Sequence, residues 1–170
     1  MSEPQQEISW PGLSRPLRAL ARWVTIVQLV GYSTSLLFVW QTTRLHPAGI
    51  AERYRGADSA SAEEAMVFPK SFPEMLTLTH THLFGMAAIF ALSGLCLALC
   101  TRPSSRWRTI LLVEPFVALL VSFSSMWLMR YLDPRFSWLL ALSSSTMAIA
   151  FYGQAWFILR ELGWREREAA

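Results

Sequence analysis

Four stretches of this chain, residues 23–40, 79–100, 109–130 and 136–159, are overwhelmingly apolar and hold no Arg or Lys in their interiors. Each has roughly the 17 to 25 residues a helix needs to cross ~30 Å of hydrocarbon. A backbone in lipid has to satisfy its own polar groups, and a single apolar segment does so only as a helix. The expected fold is therefore all-α, a polytopic membrane protein built as a four-transmembrane-helix up-down bundle. Composition agrees, with 53% hydrophobic and 16% charged residues and eight tryptophans in or beside the apolar runs. The first stretch is longer than the roughly 7 to 15 apolar residues of a secretory signal, and Gln41-Thr42-Thr43-Arg44 offers no small-residue cleavage site. It is read as a retained helix.

Basic residues set the expected orientation. Nine fall on one side (Arg15, Arg18, Arg22, Arg102, Arg106, Arg108, Arg160, Arg165, Arg167) and six on the other (Arg44, Arg53, Arg55, Lys70, Arg130, Arg135). This predicts a bacterial inner-membrane protein with both termini cytoplasmic. The pI near 9.2 then reflects basic flanks against anionic lipid and requires no nucleic acid.

Residues 1–14 are polar and are expected to be disordered or to lie along the membrane surface. The one long connection, residues 41–78, is expected on the periplasmic side. Its middle, Gly56-Ala57-Asp58-Ser59-Ala60-Ser61, is polar and disorder-prone, and Ile50, Tyr54, Val67, Phe68 and Phe72 flank it as apolar anchors. Ser71-Phe72-Pro73-Glu74 reads as a helix start with Ser71 as N-cap and Glu74 in the first turn. The short links Thr101–Ser105 and Tyr131–Arg135 make the last three helices antiparallel neighbours. Cys96 and Cys100, one turn apart, suit a disulfide poorly and read as small buried thiols.

Two of the three histidines, His80 and His82, open the second apolar stretch in Thr79-His80-Thr81-His82-Leu83-Phe84-Gly85-Met86. Imidazole is a common metal and haem ligand. On a helix, however, His80 shares a face with Ala87, Ala91 and Ala98. His82 lies about 200° away with Gly85, Ser93, Cys96 and Cys100, so the pair cannot chelate one ion while the helix is regular. Two such non-bulky faces point to a central helix or one that meets a partner subunit. Arg130 and Asp133 fall at the same rim, where Asp133 could orient an imidazole. No Cys-x-x-Cys-His occurs, which excludes the usual covalent haem attachment. A b-type haem or copper site would use His80 or His82 with His46, Met129 or another methionine (Met66, Met75, Met126).

A second cluster lies deeper. Glu114, followed by Pro115, sits roughly 10 Å from the start of its helix at ~1.5 Å per residue. Its face continues through Ala118, Val121 and Ser125. The matching stripes are Ser143, Met147, Ala150 and Gln154 on the fourth helix and Gln28, Gly31 and Ser35, with Thr25 at the edge, on the first. Gln28, Cys96, Glu114 and Gln154 are expected to form one intramembrane polar layer, in which Glu114 hydrogen-bonds Gln28 or Gln154. Ionising a carboxyl in hydrocarbon is expensive, so such a group is a functional hypothesis by default.

The segments Tyr54-Arg55-Gly56, Phe68-Pro69-Lys70-Ser71-Phe72-Pro73-Glu74 and Thr79 to Met86 resemble a pattern found in uncharacterised small bacterial four-helix inner-membrane proteins. The resemblance implies that the loop and the histidine pair form one periplasmic unit. No nucleophile with a base, phosphate loop or glycine-rich nucleotide motif occurs, so a stand-alone enzyme is not expected. The expected function is an accessory subunit of a respiratory or redox membrane system carrying a His-based haem or copper site. The alternatives are a structural or assembly subunit without cofactor, and a quinone- or proton-handling site at Glu114. The expected partners are lipid and either another membrane subunit or a second copy.

Overall fold

The computed structural model describes residues 8–56 and 67–164. Five α-helices follow one another: α1 (Arg15–Thr43), α2 (Pro47–Arg55), α3 (Phe72–Ala98), α4 (Ser105–Tyr131) and α5 (Phe136–Trp164). Four of them are long and apolar enough to cross a membrane. α1 and α4 overrun the predicted windows at both ends and α5 at its C-terminal end, because polar flanks stay helical, whereas α3 starts earlier, at Phe72, and stops at Ala98, short of Cys100. At 27 to 29 residues and ~1.5 Å per residue, they exceed a ~30 Å hydrocarbon layer and carry their ends into the interface.

Local chemistry sets the helix starts. Proline occupies the first turn of α1, α2 and α3, where a missing N–H costs nothing. At α3 the Ser71 hydroxyl accepts from the Glu74 amide and the Glu74 carboxylate accepts from the Ser71 amide. This is a reciprocal capping box, at the start expected from the sequence.

The helices run up and down, and α5 touches each of the other four. Thus α5 is the central element, not the helix that carries the two histidines. One apolar core forms midway along the bundle from Tyr32, Phe90, Ala118, Leu119, Met147 and Phe151. A second, near the end that carries both termini, gathers Trp10, Ala21, Cys96, Leu97 and Ile158.

The predicted stripe on α5 (Ser143, Met147, Ala150, Gln154) is buried throughout, and Ala118 and Ser125 of the α4 stripe are buried as well. The face expected on α1 holds in part: Thr25 is buried and Gln28 half-buried, but Gly31 and Ser35 point outward, while Ala21 and Tyr32 turn inward. The cause is aromatic packing, since the Tyr32 ring lies 4.4 Å from that of Phe151 and gains more contact than a small-residue seam would. On α3, likewise, the bulky line through Phe90 and Leu97 is buried together with Ser93 and Cys96. Ala91 and Ala98 of the alanine face are exposed.

The long connection carries a helix. α2 packs against α1, α4 and α5 and caps the end opposite the termini. Arg55 reaches across it and donates to the carbonyls of Met129 at 2.9 Å and Arg130 at 3.4 Å, meeting the negative end of the α4 dipole. Lys70 returns the chain by donating its amide to Tyr54 O at 2.9 Å. Burial pushes the Tyr54 phenol above its ordinary pKa. Ile50 anchors the cap as expected, whereas Phe68 is exposed. The polar middle from Ala57 onward, with Met66, lies outside the described residues.

The N-terminal segment is partly structured. Trp10–Gly12 forms a 3-10 turn, and buried Trp10 donates its indole N–H to Cys96 O at 2.9 Å and its amide to Leu99 O at 3.1 Å. Residues 1–7 lie outside the described residues.

Gly56 sets the geometry of the cap. Its φ of +89° with ψ of 160° is open essentially only to glycine, and a Cβ would stand 2.9 Å from both Val67 O and Pro69 Cδ. Gly56→Ala is expected to loosen the cap by about 1–3 kcal/mol. Hydrogen exchange would show it as faster exchange at the Lys70 and Arg55 amides, with exchange in the bundle interior unchanged.

Candidate functional site

The structure does not bring the histidines together. His80 and His82 are exposed, two turns into α3. His80 packs edge-on against the Phe84 ring at 5.1 Å, and His82 Nδ1 is 3.1 Å from Leu78 O of its own helix. His46 is the N-cap of α2, its Nδ1 accepting from the Ala48 amide at 3.2 Å. Met129 is fully enclosed. Arg130 and Asp133 serve backbone groups instead of imidazoles, Arg130 Nε donating to Lys70 O at 2.8 Å and Asp133 accepting from the Arg135 amide at 2.7 Å. Among the described residues, no three His, Cys, Asp or Glu side chains converge as a metal site would require. These donors do not fit a haem or copper ion held by one copy of the chain.

The intramembrane polar groups are arranged differently from the single layer expected. Pro115 lies inside α4 and lacks an N–H, so the carbonyl four residues earlier, that of Leu111, loses its helical partner. Gln154 of α5 supplies one: Nε2 donates to Leu111 O at 2.6 Å, and Oε1 accepts from the Ser93 hydroxyl of α3 at 2.5 Å. Both side chains are essentially inaccessible, at 0% and 1% exposure. Gly153 lets α5 approach here, since a Cβ would come within 3.2 Å of Leu111 Cδ2. Gln154 thus uses one donor and one acceptor position in the junction, and it makes no hydrogen bond to Glu114 Oε2.

Gln28 is also engaged on one side only, Nε2 donating to Ile89 O at 3.4 Å. Gln28 Oε1 and Glu114 Oε2 are both buried with no hydrogen-bond partner. α1 and α4 run in the same direction, and these residues lie one turn below Tyr32 and Ala118, which meet in the central core. Both orphan acceptors therefore lie one helical turn from the central core. The Tyr32 phenol lies within electrostatic reach of Glu114 and Tyr152, and Tyr152 shares a 2.8 Å hydrogen bond with Ser33. The fourth expected member, Cys96, stands apart as a buried thiol in the terminal core.

One group was invisible to sequence reasoning. Glu161 lies in a run of charged residues past the predicted end of the last helix, yet it is 5% exposed. Its carboxylate accepts from the Thr101 hydroxyl at 2.7 Å, the Thr101 amide at 3.0 Å and the Arg102 amide at 3.2 Å, so it fastens the α3–α4 turn to α5. Arg22 adds a second tie by donating to Leu162 O at 2.7 Å. Cys96 and Cys100 are free. Burial, aided by the nearby Glu161 charge, pushes the Cys100 thiol up to about 12, which leaves it little thiolate character.

Fold and interior together define a multi-pass membrane protein with a bundle of four long helices. Residues 44–169, most of the chain, match a family described as a transmembrane helical domain, and the chain belongs to that family. No curated protein and no solved structure matches it.

The Gln154 lock makes a quantitative prediction. Gln154→Leu leaves Leu111 O unpartnered and Ser93 with only its 3.3 Å bond to Phe90 O, and it is expected to cost about 1–2 kcal/mol. In a Pro115→Ala background, where residue 115 regains an amide for Leu111, the same substitution should cost measurably less. Thermal unfolding in detergent of the four proteins of this cycle would check the coupling.

Proposed function

We propose that the protein is a small proton-handling subunit of a bacterial inner membrane, in which Glu114 takes up and releases a proton inside the bilayer. The observation that carries this reading is the pair of buried acceptors without a donor, Glu114 Oε2 and Gln28 Oε1. A proton bound at Glu114 turns a buried acceptor into a donor, and its release leaves Oε2 an acceptor with none. The hydroxyls of Tyr32, Tyr152 and Ser33 continue from this point to the exposed side of α1. A partner seated there would exchange the proton, which suits an accessory role beside a respiratory or redox complex.

A haem or copper centre on His80 or His82 draws less support, because the second ligand would have to come from another chain. The excess of basic residues at the terminal end supports cytoplasmic termini. The resemblance to bacterial four-helix proteins supports the inner membrane.

Infrared spectroscopy of the protein in lipid tests the proposal. A protonated-carboxyl band that moves in D2O, disappears in Glu114→Gln and changes frequency in Gln28→Leu is expected. If Glu114→Gln leaves the carboxyl region unaltered, the reading fails. A Soret band on the purified protein that vanishes in His80→Ala or His82→Ala would replace it with the haem reading. Orientation has its own check: a fluorescent-protein fusion at the C-terminus should glow, and an alkaline phosphatase fused there should be inactive.

A further inference from the structure

The outer surface of the bundle has one groove whose mouth is chemically distinctive. It runs open to the outside between α3 and α4, offers about 580 Å³, and is walled by Leu83, Leu120, Phe123 and Leu128. That volume lies within the range of small-molecule sites, ~300–1,000 Å³. Toward the α2 cap the groove ends on Trp127 and Tyr131, stacked at 5.6 Å, with Phe72 edge-on to Trp127 at 5.3 Å. The Trp127 indole N–H donates to the Thr79 hydroxyl at 2.9 Å, which fixes the ring as a floor. An amphipathic aromatic cluster of this kind belongs at the depth of lipid headgroups.

Among the described residues, the charge at this mouth is unbalanced. The Arg130 guanidinium lies 4.9 Å from the centre of the Tyr131 ring, and Nε donates to Lys70 O. Lys70 is paired with Glu74 at 3.2 Å, but among the described residues no carboxylate pairs with Arg130. Arg55 adds another cation behind it, at the end of α4. An apolar trough whose rim residue Tyr131 lies against a half-buried guanidinium is complementary to an anionic headgroup with a hydrocarbon tail.

We propose that this groove is a binding site for an anionic phospholipid, its acyl chain lying between α3 and α4 and its phosphate on Arg130. The site stands whether or not Glu114 handles protons. Selectivity of about fivefold over a zwitterionic lipid is expected, the equivalent of ~1 kcal/mol per basic residue near the surface.

Tryptophan quenching in reconstituted vesicles tests it. The full chain is placed in phosphatidylcholine vesicles containing equal mole fractions of either brominated phosphatidylglycerol or brominated phosphatidylcholine. Greater quenching by the brominated phosphatidylglycerol is expected, the excess disappearing in Trp127→Phe because Trp127 reports it. The excess should also fall in Arg130→Gln and persist in Arg130→Lys, which keeps the charge while changing the contact to Lys70 O. Equal quenching by the two lipids, or an excess that survives Trp127→Phe or Arg130→Gln, would overturn the proposal. So would a prenyl quinone that quenches Trp127 more strongly than brominated phosphatidylglycerol at the same mole fraction.

Discussion

The bundle turns on a carbonyl that one helix cannot satisfy. Pro115 withdraws the donor due to Leu111 O, and in hydrocarbon no water takes its place. Gln154 of α5 answers the vacancy and, with its other amide atom, holds Ser93 of α3. A defect in α4 thereby becomes a three-helix junction. Lipid supplies no hydrophobic drive between helices, so packing and buried polar contacts of this kind decide register. The central position of α5 follows, because its amide is the piece that both neighbours need.

Helix ends are treated in the same manner. At the cap, Arg55 meets the carbonyls that close α4; at the opposite end, Arg22 meets one at the close of α5. Glu161 supplies the complementary anion to the amides of the α3–α4 turn. Each contact joins elements distant in sequence, and each satisfies a group that a helix leaves open at its terminus. The connections are held by terminal electrostatics, and the span interiors by packing and the Gln154 junction.

The four spans, the α3 capping box and the inward stripe of α5 were legible in the sequence because each rests on local periodicity or on residues three apart. The inward face of α1 was so only in part, since small residues and an aromatic both offered a seam and only the position of Phe151 decides for Tyr32. The polar layer was half legible. Glu114, Gln28 and Gln154 are interior as depth and face required, but their pairing depends on which carbonyl Pro115 vacates and which helix stands opposite. Glu161 resembled a solvated tail residue because its partners are backbone amides sixty residues away. The histidines misled for the reverse reason: imidazole carries strong chemical associations, while these two face outward on a regular helix.

The family match begins at Arg44, immediately beyond α1. The Pro115–Gln154–Ser93 junction and the Arg55 cap therefore lie wholly within the matched unit, α2 to α5. Gln28 and Tyr32 come from α1, outside it. The junction engages the amide of Gln154 in holding that unit together, and Glu114 Oε2 has no hydrogen-bond partner. α1 adds another such group, Gln28 Oε1, which is itself short of a donor. The unit that the junction holds together and the helix laid against it thus each carry a buried acceptor without a donor.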